Sequence, residues 1–414
     1  MATITPSTEI YFFGPSFDNS FTLNDSVKGA LDSTTYVLTG TPRPYDTTSD
    51  SISLRVTRGR KDFTKPYPAG RCVLTLRNES GLYDPDNTAS SLFPGIVVGR
   101  RITIKNTVVG GTGAITIFDG VVIDLDLTYT IGGEATLTVM GADRLSELAL
   151  RTIDAGTSVS EQTTGSRIDA VLALSEVNYT NDKSIATGLS TVAAGTASGN
   201  AKAYVDTIVM AEQGYLYVTR SGVLKFEDRY GPLAGVSKAT MSDDGADVGY
   251  QKIERQIMTA SLFNRLEGKI TSGSTQTANN TGSQTSYGIR VLDLGVIPLT
   301  ADSVLNDLLT FLLVQTASAE TRITSIEVAL DTATVAEAEA LMALELSDIV
   351  TVQFTPPGLS SQLTSSSFVE SIVHTTSVGQ THRLTLGLRP VSIGNYLTLD
   401  SATFGQLNEN VLAF

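Results

Sequence analysis

The chain has 414 residues, 41% of them hydrophobic, with no tryptophan and one cysteine, Cys72. That length holds roughly two to four domains, and a lone cysteine excludes an internal disulfide framework. The formal net charge is -14, which argues against a chain that wraps nucleic acid, because phosphate binding needs clustered Lys and Arg.

Residues 1 to 50 are polar, with short β-like pieces at Glu9 to Phe13 and Thr35 to Leu38 and a loop at Asp46 to Ser51. The start MATITPSTEIYFF lacks the basic and apolar pattern of a signal peptide, and no apolar run approaches the roughly 20 residues of a membrane helix. The expectation is folding in a cytoplasm. From Ile52 to Leu148 apolar residues alternate: Cys72, Leu74 and Leu76; Ile102 and Ile104; Val121 and Ile123; Leu125 and Leu127; Leu137 and Val139. That is the period of half-buried strands. Turn chemistry separates them at Asn78 to Gly81, Asp84 to Asn87 and Ile131 to Glu134. The stretch predicts a small antiparallel barrel or sandwich, ended by a short helix over Ala142 to Leu150.

From about 151 the period changes. Arg167, Ile168, Val171, Leu172 and Leu174 recur at helical spacing, as do Tyr204, Val205, Ile208 and Val209 within Ala201 to Gln213, with Gly214 placed to end that helix. A hairpin follows, Tyr215 and Tyr217 against Leu224 and Phe226 around Arg220-Ser221-Gly222. Phe263 to Ile270 predicts a strand, and Thr271 to Thr285, almost wholly polar, an exposed loop. Thr300 to Thr316 carries the best apolar helix face, with Thr300 or Asp302 as cap. Thr321 to Leu330 predicts a strand, and Thr334 with Glu337 a capping box.

The last part repeats the first. Ser347 to Phe354, a Pro-Gly-Ser loop, Phe368 to Thr376, Gly379 and His382 to Leu388 match Gly99 to Lys105, a loop, Phe118 to Asp126, Gly132-Gly133 and Glu134 to Gly141 in kind and spacing. One chain with two related β units is the expectation. The domain division expected is 1–50, an N-terminal strand or arm; 51–150, a first β-barrel; 151–249, a small α/β domain; 250–325, a strand, exposed loop and helix partly inserted in a second barrel; and 326–414, that second barrel and a C-terminal tail.

No chemical signature emerges. His374 and His382 flank a turn, with only Glu370 and Asp348 as further ligand types nearby in sequence. Asp84, Asp86 and Asn87 lack the spacing and the Glu of a calcium loop, and read as a turn whose side chains cap their own backbone. Asp124 and Asp126 alternate with apolar residues on one strand, where a pair of glycosidase carboxylates would need a suitable separation; a solvent or lumen face is the plainer reading. No G-x-S-x-G, Walker A or dinucleotide pattern is present. Catalytic residues, metal ligands and cofactors are therefore expected to be absent.

The order of these pieces resembles the baseplate or tail-tip hub proteins of tailed phages. The matching residues are the Arg58 to Arg60 turn, AGRCVLTLRN, the Tyr83 to Asn87 loop, GRRITI, FDGVV, YVDTIVMAEQGYLYVTRSGVLKFEDR, FNRLEGKI, SYGIR, LELSDIVTV and the terminal LDSATFGQLNENVLAF. They span about Ser51 to Phe414; residues 1 to 50 and Thr271 to Thr285 match least. The resemblance implies a mainly β fold of two tail-tube-like antiparallel barrels with smaller α/β inserts. It also implies a homotrimer whose six barrels continue a sixfold tube and present threefold symmetry to the tip of the virion tail. The partners implied are a second and third copy, a distal tail ring or tube protein, a tape-measure protein and a tip fibre or spike. Genomic DNA would pass without specific binding. An acidic inner wall suits such passage, and Asp124, Asp126 and Glu134 are the channel-lining candidates. Two other readings accompany it: a hexameric distal ring protein with one barrel, and a receptor- or carbohydrate-binding tip adhesin, for which Tyr83, Tyr230 and Tyr287 are the aromatic candidates. A tip-associated peptidoglycan hydrolase would need a carboxylate or zinc cluster.

Overall fold

The computed structural model of the chain describes residues 2–13, 43–132, 134–257, 261–318 and 321–391. Its first half is built from β1 (Ile4–Phe13), β2 (Arg43–Asp46), β3 (Ser51–Gly59), β4 (Arg71–Arg77), β5 (Arg101–Val108), β6 (Ala114–Tyr129) and β7 (Ala135–Ala142). Alternation decides which way each faces. In β4, Cys72, Leu74 and Leu76 are buried while Arg71, Val73 and Arg77 are exposed. The strands pair in the order β3-β4-β7-β6-β5-β1-β2, every pair antiparallel. Their inner faces share one core that includes Ile10, Leu54, Leu74, Ile102, Phe118 and Val139.

The short helix α1 (Leu145–Ala149) leads into an α/β segment of β8 (Thr152–Val159), β9 (Gln162–Thr163), α2 (Thr164–Leu172), β10 (Lys183–Ile185), β11 (Thr191–Val192), β12 (Gly195–Asn200), α3 (Ala201–Glu212), β13 (Tyr215–Val218) and β14 (Leu224–Glu227). The apolar faces of α2 and α3, Ile168, Val171, Val205 and Ile208, pack on Leu216, Leu224 and Phe226. Next come β15 (Ser237–Ser242), β16 (Val248–Gly249) and β17 (Lys252–Ile257). A layer of β18 (Arg265–Ile270), β19 (Gln276–Asn279), α4 (Thr281–Tyr287), β20 (Val291–Ile297) and α5 (Asp302–Thr316) follows. There α5 lays Leu305, Leu308, Leu309 and Leu312 on Leu266 and Ile297. The chain then forms β21 (Thr321–Ala329), α6 (Val335–Met342), β22 (Ile349–Phe354), β23 (Leu363–Ser377) and β24 (Arg383–Pro390). No helix among the described residues is long and apolar enough to cross a membrane.

The two halves are copies of one design. The second orders its strands β17-β21-β24-β23-β22-β15, matching β3-β4-β7-β6-β5-β1. One pairing changes hand: β15 runs parallel to β22, whereas β1 runs antiparallel to β5. In each half one long strand, β6 or β23, bulges by a residue where its partners change. Ile123 is the extra residue between Val122 and Asp124, and Glu370 between Val369 and Ser371. The hydrogen bonds beside the bulge agree. Val122 N–H donates to the Arg100 carbonyl and Gly99 N–H to the Val122 carbonyl, both at 2.7 Å. Val369 N–H donates to the Asp348 carbonyl at 2.8 Å and Ser347 N–H to the Val369 carbonyl at 2.9 Å. Gly99 and Ser347 both hold a left-handed φ, +81° and +70°.

Neither half closes into a barrel among the described residues. The reason is a pairing that joins them: the outer edge of β3 takes Ser371 to Ser377 of β23, so the strand that would close the first half is spent on the second. The result among the described residues is one 14-stranded sheet. Other expectations also shift. Thr271 to Thr285 is exposed as expected but not a plain loop. It contains β19, paired with β18, and the first five residues of α4, whose N-terminus is capped by the Asn280 side chain. Helix α5 starts without a side-chain cap; Asp302 instead accepts from Ser274. Gln213, not Gly214, holds the left-handed position after α3. The capping box of α6 forms as expected. Thr35 to Leu38 and the segment from Leu399 lie outside the described residues.

Gly59 is where the joint demands glycine. Its φ is +105°, and a Cβ there would meet the Glu370 carbonyl oxygen at 2.2 Å and the Ser371 Cα at 2.4 Å. Gly59→Ala is expected to cost at least about 2 kcal/mol, read as a lowered midpoint in denaturant unfolding. An unchanged midpoint would contradict this account of the joint.

Candidate functional site

The joint carries a buried network of polar side chains. Arg60, directly after β3, donates from Nε to Glu370 Oε2 at 2.8 Å, and Arg389 on β24 donates from Nε to Oε1 at 2.7 Å. The Tyr67 hydroxyl donates to Oε2 at 2.9 Å. Arg389 reaches on to the Tyr215 hydroxyl at 2.7 Å and to Gln315 Oε1 at 3.1 Å. The Arg60 guanidinium lies 4.2 Å over the Tyr67 ring, and that of Arg389 4.8 Å over Phe368. One carboxylate thus ties together both halves of the sheet, the α/β segment through β13 and the helical layer through α5. Burial pushes the Glu370 carboxyl up, but the Arg60 and Arg389 guanidiniums beside it outweigh this and hold it down at about 2. Burial and the same carboxylate push the Tyr67 phenol well above its ordinary value.

Further contacts reinforce the seam. Arg58 pairs with Glu345. The Ser347 and Tyr217 hydroxyls lie 2.8 and 3.2 Å from Glu227 Oε2. Above the network opens a cleft of about 640 Å³, lined among others by Arg60, Phe63, Glu254, Phe263, Arg322 and Arg389. Both oxygens of Glu370 are engaged there. Glu254 accepts from Lys252 at 2.5 Å and Ser325 at 3.0 Å, and the Lys252 hydrogen bond lowers its pKa. Carboxylate pairs that work as acid and base have pKa values pushed apart by their surroundings; here both are held ionised.

The residues singled out in the sequence fall as follows. His374 and His382 do come together, Nδ1 to Nε2 at 3.1 Å, on the β23–β24 hairpin. Burial, then the neighbouring His382 and Arg58, lower His374 well below the usual imidazole value; burial lowers His382 to about 4. Glu370 and Asp348 are turned elsewhere, Asp348 to the Glu345 N–H at 2.8 Å. Among the described residues no group of three or more metal-ligating side chains forms. Asp84 accepts from the Asp86 N–H at 2.9 Å and the Tyr129 hydroxyl at 2.6 Å, and Asn87 accepts from the Ala89 N–H at 3.1 Å, which is turn chemistry. Tyr83 is no loop aromatic: it is buried against Phe12 and Tyr45 with its hydroxyl on Asp50 at 2.6 Å. Tyr230 packs edge-on against Phe311, while Tyr287 is 46% exposed. Asp124, Asp126 and Glu134 are all exposed, the first two on the solvent side of β6 and Glu134 just before β7. The Glu370 network was not visible as a site in the sequence. Its signal was a charge inside the otherwise apolar run Phe368-Val369-Glu370.

No family profile matches the chain, and no curated protein matches it by sequence. Its fold is shared with solved structures. The tail protein from Neisseria meningitidis MC58 superposes with a TM-score of 0.59 at 12% identity, covering 85% of this chain and 95% of that one. The 43 kDa tail protein of prophage MuSo2 from Shewanella oneidensis gives 0.59 at 12% identity, covering 94% of this chain and 98% of that one.

Two outcomes test the network and the histidine pair. Glu370→Gln strands two buried guanidiniums without a counter-charge and is expected to cost on the order of 3 kcal/mol in denaturant unfolding; a neutral effect would contradict the role assigned to Glu370. The imidazoles are held neutral in the fold, so the unfolded chain binds more protons below its ordinary imidazole value of 6.5. The pair costs nothing above that pH and destabilises the fold as pH drops from 6.5 toward 4, His382 alone by on the order of 3 kcal/mol; the buried Asp143 carboxyl, which burial raises to about 6, acts in the opposite direction over the same window. The Glu370 contribution is present above 4.5 and lost only as pH falls toward 2. Unfolding free energies at several pH values isolate the histidine pair by difference: between pH 7 and 4, His382→Gln should lose less stability than the parent chain. Equal pH slopes for the two would contradict it.

Proposed function

We propose that this chain is a structural subunit of a phage-type tail, three copies of which form a ring at the distal end. The observation that carries the reading is the internal duplication, found within a fold shared with two tail proteins, one of them from a prophage. Two equivalent curved β units per chain, taken three times, give six units around a ring. Such a ring meets a sixfold tube on one side and a threefold tip on the other. The partners follow: other copies of the chain, a tail ring or tube protein, a tape-measure protein and a tip fibre or spike. The duplication favours this over a hexameric distal ring protein, whose single β unit per chain would need six copies. The adhesin reading loses Tyr83 to the core.

In this reading the chain has no catalytic task. Function lies in surfaces that hold shape rather than in a pocket. The Glu370 network supports it, because a conduit under load needs its two halves fixed against each other. DNA passing through the ring carries about one charge per 1.7 Å of duplex. A wall rich in Asp and Glu repels it weakly within a Debye length of roughly 8 Å at physiological salt, so transit is not slowed by ion pairs. Asp124, Asp126 and Glu134, exposed on and beside β6, are assigned to that wall.

Native mass spectrometry of the assembled tail tip is expected to give three chains of 43.8 kDa per ring; six would favour the distal ring protein. In an imaged ring the side chains lining the channel should sum to a net negative charge, and a positive sum would point to a DNA-gripping role.

A further inference from the structure

The seam between the halves shows what the edge of a bulged strand takes as a partner, and the same kind of edge is left unpaired elsewhere. In the second half, β23 pairs β22 up to Phe368 on one edge, and past the bulge the same edge takes β3, from Ser371↔Gly59 to Ser377↔Ser53. In the first half, β6 pairs β5 up to Val121 on the corresponding edge, and past the bulge Asp124 to Tyr129 has no partner strand there among the described residues. The backbone N–H of Leu125 is met by its neighbour's own Asp124 carboxylate at 2.9 Å. The strand equivalent to β3 is β17, whose outer edge is also unpaired among the described residues. Each of the two strand segments that meet at the seam is thus repeated as a free edge, one on β6 and one on β17, among the described residues.

Burial tells the same story. At the seam Leu54, Val56, Ile372 and His374 are 3% exposed or less. Their counterparts at the two free edges are more open: Leu125 and Leu127 are only partly covered by the first core and Ile253 by the last, and Arg255, in the place of Val56, is exposed. Ile257 and Tyr129, in the places of Arg58 and Thr376, are 68% and 58% exposed. The extra residue of the β6 bulge, Ile123, is 46% exposed, whereas its counterpart Glu370 is buried beneath the β3 end. A sheet edge of this kind is a template for another strand.

We infer that β17 of one copy pairs antiparallel with the free edge of β6, Asp124 to Tyr129, of a second copy, repeating between chains the seam that β3 and β23 make within one. The seam fixes the register. Ile257 falls opposite Leu125, Gln256 opposite Asp126, Arg255 opposite Leu127, Glu254 opposite Thr128 and Ile253 opposite Tyr129. Ile257, Arg255 and Ile253, and opposite them Leu125, Leu127 and Tyr129, then lie on the core side, joining the two chains' apolar layers, with the Arg255 guanidinium 4.5 Å over the Phe354 ring. Asp126 and Gln256 stay on the other face, with Asp124. The contact is head-to-tail, so each copy offers one edge of each kind and the assembly grows until it closes. The inference rests on the duplication alone and holds whether or not the protein belongs to a tail.

Cysteine cross-linking tests it with the full chain. Asp126→Cys and Gln256→Cys are both exposed substitutions off the core face, and native Cys72 is 1% exposed. Each variant is purified separately, and disulfide formation is read on non-reducing gels at high protein concentration. The expected result is a dimer band only when the two variants are mixed, and a ladder from the double variant that ends at the size of the closed ring. Asp126→Cys mixed with Lys252→Cys, four residues out of register, should give no band. Dimers from either variant alone, a disulfide inside a single chain of the double variant, or no band in the mixture would each overturn the inference. The ring size is a separate readout: closure at a number other than three would refute the trimer while leaving the pairing intact.

Discussion

Everything in this fold turns on one strand that has to serve three neighbours. β23 pairs β24 along one edge and both β22 and β3 along the other, and the extra residue at Glu370 lets the edge change partners. A bulge re-aims side chains as well as bending a strand. Here it buries a carboxylate at the meeting point of four structural parts, where an uncompensated charge would cost several kcal/mol. Arg60, Arg389 and Tyr67 provide the compensation, and Gly59 lets the backbone come close enough for it to form. Charge and close approach are two sides of the same constraint.

Duplication explains why the two halves agree in backbone and differ in side chains. Strand order, bulge position and the left-handed residue before β5 and β22 are the same. The bulge residue is not: Ile123 is open, while Glu370 is sealed under β3. A conserved backbone with diverged edges is what a chain needs if one junction is made internally and the equivalent one is left for another molecule.

Much of this was legible in the sequence, for physical reasons that vary by element. Strands β4 to β7 announce themselves because one face is buried and the other is wet, so alternation survives in the residues. The repeat was legible because the hairpin spacing around Gly132 and Gly379 is fixed by strand length. Where burial is two-sided, alternation disappears: Ser367 to Glu370 are all buried, and nothing in the order of residues says that Glu370 meets two arginines. Helix α4 has no apolar face to read; it is held by the Asn280 cap and by Asn264, which receives the Arg290 N–H at 2.8 Å and donates to the Gly288 carbonyl at 2.8 Å. Gly214 looked like a helix stop. Its glycine serves close packing instead, since a Cβ would meet the Glu227 carbonyl at 2.6 Å. Among the described residues neither half closes into a barrel, for a topological reason: pairing between the halves competes with pairing within a half.

The central claim is that two equivalent units in one chain build a ring of sixfold appearance from three copies. Electron cryo-microscopy of the assembled ring, reconstructed without imposed symmetry, tests it most directly. The account predicts six curved β units around the axis, alternating between first and second halves, with strict symmetry only threefold. Six chains per ring, or three chains whose two halves sit at different radii, would contradict it.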